Sequence, residues 1–249
     1  VNFTDIRKAA WDTETTGPNP LEDRIVTAAF IVRTPGEDNR VFPWLINPGI
    51  PIPPEATAVH GITDAMVQAD GRDPKEALEE IAAYLTHAIS QGMPVIAFNQ
   101  SFDWSVLHYD LVRNGLPTMA ERVGSGPLPL VDPHIIDKEL YRGVRGSGMR
   151  KLKPTADRYG VALSDWHTAD ADALAALLIA EKQFERYRVL HGFGPLGLFS
   201  AQQKWRAEQQ ASLQKWFREK ATAEQGGDPN KVIDGSWPLV PSQRDGGAS

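Results

Sequence analysis

The chain has 249 residues, 41% hydrophobic and 23% charged, with a formal net charge of −6 and no cysteine. That composition suits one globular domain plus an added segment, and it excludes a disulfide framework, a zinc–thiolate site and a thiol nucleophile. No apolar run approaches the ~20 residues that span a bilayer and the first residues lack a basic-then-apolar leader, so a cytoplasmic location without a membrane partner is expected.

The acidic balance argues against charge-driven coating of nucleic acid, but a carboxylate-rich nuclease needs positive charge only along its substrate track. In chain order, residues 6–12 and 25–33 are rich in β-branched and apolar types and read as strands joined by turn formers. A third strand, 41–46, completes a meander, and Pro43 within it points to a sheet edge. The proline-rich stretch 47–56 reads as a loop. Ala77, Leu78, Ile81, Ala82, Leu85 and Ile89 recur at helical spacing, which predicts a helix over 73–90.

A buried strand follows at 94–98, then a helix from Phe102 to Arg113 that stops at Asn114-Gly115, and a fifth strand at 128–132. Helical segments are expected near 133–142, 150–159 and 169–190. A long polar helix over 197–221 precedes a stretch rich in turn formers that reads as a flexible tail. Strands first, then strand and helix in alternation, give an α/β fold with one mixed sheet. The expected division is a domain over 1–190 and a C-terminal helix and tail over 191–249.

The chemistry concentrates in three places. In WDTETTG (11–17), Asp12 and Glu14 lie two apart on a strand, so alternation sends both to one face as hard oxygen ligands. Two such carboxylates repel unless a cation or proton lies between them, and Mg²⁺ or Mn²⁺ suits oxygen donors. Taken alone, such a pair is more often a strand end facing water. Thr15, Thr16 and Gly17 follow, where backbone can approach a phosphate.

WDTETTG resembles the first motif of the DEDDh family of 3′–5′ exonucleases, the DnaQ-like group that includes the epsilon subunit of DNA polymerase III and ribonuclease T. AFNQSFDWSVL (97–107) resembles the second motif, with Asp103 as the third carboxylate and Asn99 and Phe102 as candidate contacts to the terminal nucleotide. HTADADALAALL (167–178) resembles the third, a His followed five residues later by Asp. Five residues turn a helix by about 140° beyond one revolution, so His167 belongs on the loop before the helix and Asp172 in its first turns. Asp170 competes on spacing, and the family pattern selects Asp172. AVHGITD (58–64) resembles the segment that approaches the terminal nucleotide in related enzymes, making His60 and Ile62 candidate substrate contacts; read without it, the segment is a loop-to-helix junction with Thr63 as N-cap.

The resemblance, over roughly residues 6–185, implies a ribonuclease H-like mixed five-stranded sheet flanked by helices. It implies two Mg²⁺ or Mn²⁺ ions held about 4 Å apart by Asp12, Glu14, Asp103 and Asp172, with His167 taking the proton from the attacking water. The implied reaction is hydrolysis at the 3′ end of single-stranded nucleic acid, DNA before RNA, releasing nucleoside 5′-monophosphates in proofreading or repair. Alternatives are an RNA-trimming exoribonuclease, a nuclease-like subunit that stabilises a polymerase through the C-terminal extension, and a metal-free acid–base hydrolase. Between Lys138 and Arg158, seven Lys or Arg stand against Glu139 and Asp157, either as a phosphate track or as a solvated face.

Overall fold

A computed structural model describes residues 2–162 and 168–242. Five strands form one mixed sheet: β1 (Lys8–Thr15), β2 (Ile25–Arg33), β3 (Arg40–Leu45), β4 (Val95–Ile96) and β5 (Leu130–Val131), in the order β3-β2-β1-β4-β5. β1, β2 and β3 make an antiparallel meander, while β4 and β5 add parallel to β1. β3 lies at the edge, where Pro43 withholds no ladder donor that an interior strand would need. β1 runs three residues further than its apolar run suggested, because pairing with β2 carries it through Asp12↔Ala29 and Glu14↔Thr27 before a bulge at Thr15.

Alternation along β1 sorts the molecule into two layers. Ala9 and Trp11 face α3 (Pro74–Ser90) and α4 (Gln100–Arg113), packing with Leu78, Leu85 and Leu107. Ala10 faces α8 (Ala169–Arg186), whose Ala173, Ala176 and Ala180 let the helix lie close against the sheet. Asp12 and Glu14 share the parity of Ala10, and Thr13 shares that of Trp11. β4 ends at Ile96, opposite Ala10; beyond it the β1 backbone is open to the head of α4.

Several expectations change; β4 and β5 are shorter than the predicted 94–98 and 128–132. The proline-rich loop ends earlier than expected, with α1 (Pro54–His60) starting on Pro54 at its first position and α2 (Asp64–Asp70) capped by Thr63, whose hydroxyl accepts from Met66 N. A short helix α5 (Met119–Val123) carries a Thr118/Glu121 capping box that periodicity over so few residues could not reveal. α8 stops at Arg186 rather than 190. The remaining helices are α6 (Pro133–Leu140), α7 (Leu152–Tyr159) and α9 (Pro195–Glu219).

α9 covers the free edge of β5. The buried Gln202 amide accepts from Asp132 N (2.7 Å) and donates to Leu130 O (2.9 Å), completing the ladder where the described residues supply no sixth strand. Past a turn at Ala223–Gln225, the expected tail has no helix or strand among the described residues, as its composition implies. Through Val240 it is nonetheless anchored. Trp237 is buried against Phe199 (ring centroids 5.0 Å), Ile233 N donates to Gln214 Oε1 (2.9 Å), Val240 N donates to Ser105 Oγ (2.9 Å) and Tyr109 Oη donates to Val240 O (2.9 Å). Turn formers exclude regular structure; they do not prevent two apolar anchors from docking.

Candidate active site

Asp12 and Glu14 project from the end of β1 toward the first turn of α8, where Asp172 meets them. One carboxylate oxygen from each lies within 4.8 Å of the other two. Asp103 enters from the opposite layer: its Oδ1 accepts from Thr13 N (3.0 Å) and Thr13 Oγ1 (2.7 Å). That carboxylate thus takes the β1 backbone donor that β4 leaves unpaired, and four acids meet at one end of the sheet.

Their proton affinities record the crowding. Burial, then Asp103, Asp172 and Glu14, push Asp12 well above the usual carboxylate range. Burial, Asp172 and Asp103 push Glu14 up to about 8. Asp103 reaches about 7, with burial outweighing the Thr13 hydrogen bonds that act the other way. Among the described residues no Lys or Arg forms an ion pair with Asp12, Glu14 or Asp103. An octahedral cation with oxygens at about 2.1 Å spaces its ligands by about 3–4 Å, so the acid cluster fits Mg²⁺ or Mn²⁺ with small side-chain rotations.

His167 lies outside the described residues. Thr168, the next residue, lines a cavity of about 380 Å³ together with Glu14, Trp44, His60, Ile62 and Asp170. Of the two aspartates, Asp172 lies with the carboxylates of β1, while Asp170 is exposed and lines this largely apolar cavity. His60 Nδ1 accepts from Ile62 N (3.1 Å), which leaves the proton on Nε2, and burial lowers its pKa.

Thr15 and Thr16 are buried, and their hydroxyls serve the loop. Thr15 Oγ1 donates to Gly17 O (2.7 Å); Thr16 Oγ1 donates to Asp23 Oδ1 (2.9 Å) and accepts from Arg24 N (3.0 Å). A Cβ on Gly17 would lie 2.6 Å from Asp23 Oδ2, so only glycine lets the loop close around that carboxylate. Asn99 occupies the left-handed region (φ 63°) at the head of α4, and Phe102 in the first turn is half-buried.

Two residues were missed by the sequence reading. Thr13 lies between the two motif acids and was passed over, although alternation alone turns it to the opposite layer. Asp132 accepts from Asn99 N, Gln100 N and His134 N (3.0, 3.0 and 2.9 Å), tying the head of α4 to the head of α6; its signal was Asp before Pro at a helix start. In the basic stretch, Arg150 and Arg158 both bond to the fully buried Asp137 and hold α7 against α6.

A model of the exonuclease family named for RNase T matches residues 10–180. The chain is 28% identical over 176 residues to the PolC-type DNA polymerase III of Streptococcus suis, covering 70% of this chain and 11% of that protein. It is 29% identical over 166 residues to that of Streptococcus thermophilus, covering 66% and 10%. The chain therefore spans about a tenth of the length of these relatives. Among solved structures, Exonuclease I of E. coli in complex with a dA16 oligonucleotide superposes with a TM-score of 0.61 at 20% identity, covering 74% of this chain and 42% of that one. Exonuclease I of Methylocaldum szegediense gives 0.57 at 22%, covering 73% and 41%. These share the fold.

Proposed function

The chain belongs to the RNase T family of exonucleases, and we propose that it removes nucleotides from the 3′ end of single-stranded DNA in a reaction dependent on Mg²⁺ or Mn²⁺. One observation carries the reading: Asp12, Glu14 and Asp172 converge within 4.8 Å, with Asp103 bonded alongside to Thr13 and, among the described residues, no Lys or Arg ion-paired to Asp12, Glu14 or Asp103.

In this reading Asp12, Glu14, Asp103 and Asp172 hold two cations. The ions, when bound, activate water and stabilise charge on the leaving oxygen. His167 accepts the proton of the attacking water, a role suited to imidazole, whose unperturbed pKa in free peptides lies near ~6.5. The apolar cavity beside Glu14 takes the terminal base, and His60, whose ring lines that cavity, packs against the terminal nucleotide there. Ile62, Asn99 and Phe102 complete the contacts to the terminal nucleotide. Thr15 and Thr16 act through backbone, because their hydroxyls are committed to the loop.

DNA is preferred over RNA on the strength of the relatives, which are DNA polymerases, and of a structural neighbour in complex with a deoxyribo-oligonucleotide. A role in proofreading or repair follows from the same relatives. A polymerase or other protein would meet the C-terminal extension at Leu213 and Trp216, which α9 leaves partly exposed.

The test is degradation of matched 5′-labelled DNA and RNA single strands with Mg²⁺ or Mn²⁺, beside Asp12→Asn and His167→Ala. Stepwise shortening of DNA, abolished by chelator and by at least about 100-fold in both variants, is the expected result. Preference for RNA would move the chain to RNA trimming. Inactivity of folded, metal-supplied protein on both strands would overturn the reading.

A further inference from the structure

Cations gather along the seam between α6 and α9. Gln209 Nε2 of α9 donates to Ile135 O of α6 (3.1 Å), and Gln202 is bonded to β5. Arg206 falls between them on the same face of α9 and is half-buried, close enough to Lys138 and His134 to depress both of their pKa values. Arg150 lies nearby but is committed, with Arg158, to Asp137. The carboxylate of Asp132 already accepts three backbone N–H groups.

Lys138 is the outlier of this group. It is half-buried, yet among the described residues it has no hydrogen-bond or ion-pair partner. Burial, Arg206 and Arg150 push its ammonium down to about 8, against the opposite pull of Asp132 and Asp137. Arg206 rests on the Gln210 amide, turned so that its oxygen accepts (2.6 Å), and has Asp132 and the exposed Asp234 in its field. An ammonium withdrawn from water with only distant counter-charge is costly unless a ligand supplies that charge.

The seam begins at the acid-bearing end of the sheet. Phe98 packs against His134 (ring centroids 5.2 Å), and the next residue, Asn99, heads the helix that carries Asp103. Lys138 follows Asp132 by six residues, about 9 Å along a helix, which sets it apart from the reacting phosphate. We infer that Lys138, backed by Arg206 of the C-terminal helix, contacts a backbone phosphate of the nucleic-acid strand upstream of the scissile bond. This rests on the nuclease reading above.

Binding of a labelled dT oligonucleotide in chelator is measured against salt for wild type, Lys138→Gln and Lys138→Arg. Lys138→Gln is expected to weaken binding several-fold and to reduce the slope of log K against log salt by about 0.7, the loss of one single-strand phosphate contact; Lys138→Arg restores both. Hydrolysis of p-nitrophenyl thymidine 5′-monophosphate, which has no upstream phosphate, should be unchanged in Lys138→Gln. Equal slopes for wild type and Lys138→Gln overturn the inference. Failure of wild type to hydrolyse the ester overturns the nuclease reading instead.

A second measurement needs no variant. Acetylation of Lys138 in the wild-type protein, read by mass spectrometry, should be suppressed by the oligonucleotide and not by inorganic phosphate. Equal suppression by phosphate would reduce the position to a free-anion site, and no suppression by either would overturn the contact.

Discussion

At the scale of single residues, the site is a balance between carboxylates and whatever neutralises them. Glu14 titrates at about 8 and Asp103 at about 7, above ordinary values of 4.5 and 3.8, so without metal the folded state binds these protons more tightly than the unfolded chain does. That contribution to stability is full below about pH 4 and is lost as pH rises through 7 to 8. Metal-free protein should therefore melt at progressively lower temperature across this window, and saturating Mg²⁺ should raise the midpoint most at its alkaline end. A pH trend untouched by both Mg²⁺ and Asp12→Asn would count against the cluster as its source. Thr13→Val removes the hydroxyl that donates to Asp103. A hydrogen bond to a charged group is worth about 1.5–3 kcal/mol, so urea unfolding in Mg²⁺ should register a loss of that order, with several-fold weaker apparent affinity for the metal.

At the scale of elements, the acids are positioned by how strands end. β4 is two residues long, and its early stop exposes Thr13 N to Asp103 at the head of α4. The connection after β1 is held by Asp23 from within and by Arg113, which donates to the carbonyls of Leu21 and Asp23 from the far end of α4. Gly17→Ala would force Asp23 away from Thr16, and activity should fall by about ten-fold or more while the melting temperature drops only a few degrees; unchanged kinetics would show that this loop does not fix Glu14. β5 depends on Gln202 at its outer edge. Gln202→Leu orphans Asp132 N and Leu130 O, each at about 1–3 kcal/mol, a loss that denaturant titration would resolve.

At the scale of the whole molecule, the described residues beyond 190 pack with the rest of the domain. α9 buries Leu198, Phe199 and Gln202, and the segment after it returns across α9 to α4, the helix that carries Asp103. Trp237→Ala should cost about 3–5 kcal/mol, the usual range for a buried tryptophan. Because Trp237 touches none of the four acids, turnover per folded molecule should stay near that of wild type. A variant of unaltered stability would mean that this segment lies loosely on the domain.

The sequence by itself determined the sheet, its edge strand, most helices and the pairing of Asp12 with Glu14, because periodicity and turn chemistry are local properties of the chain. Asp103 and Asp172 came from the family resemblance, with helix geometry adding that Asp172 belongs in the first turns of a helix. What it could not reach was anything set by contact between distant segments. The role of Thr13 depends on where β4 ends, and that of Asp132 on three backbone groups at the heads of α4 and α6. The seven-cation stretch divided only after folding, with Arg150 and Arg158 turned inward to Asp137 and Lys138 left facing Arg206 from a helix 68 residues later in the chain. Charge along a sequence has no direction; burial and the identity of the opposing helix supply it.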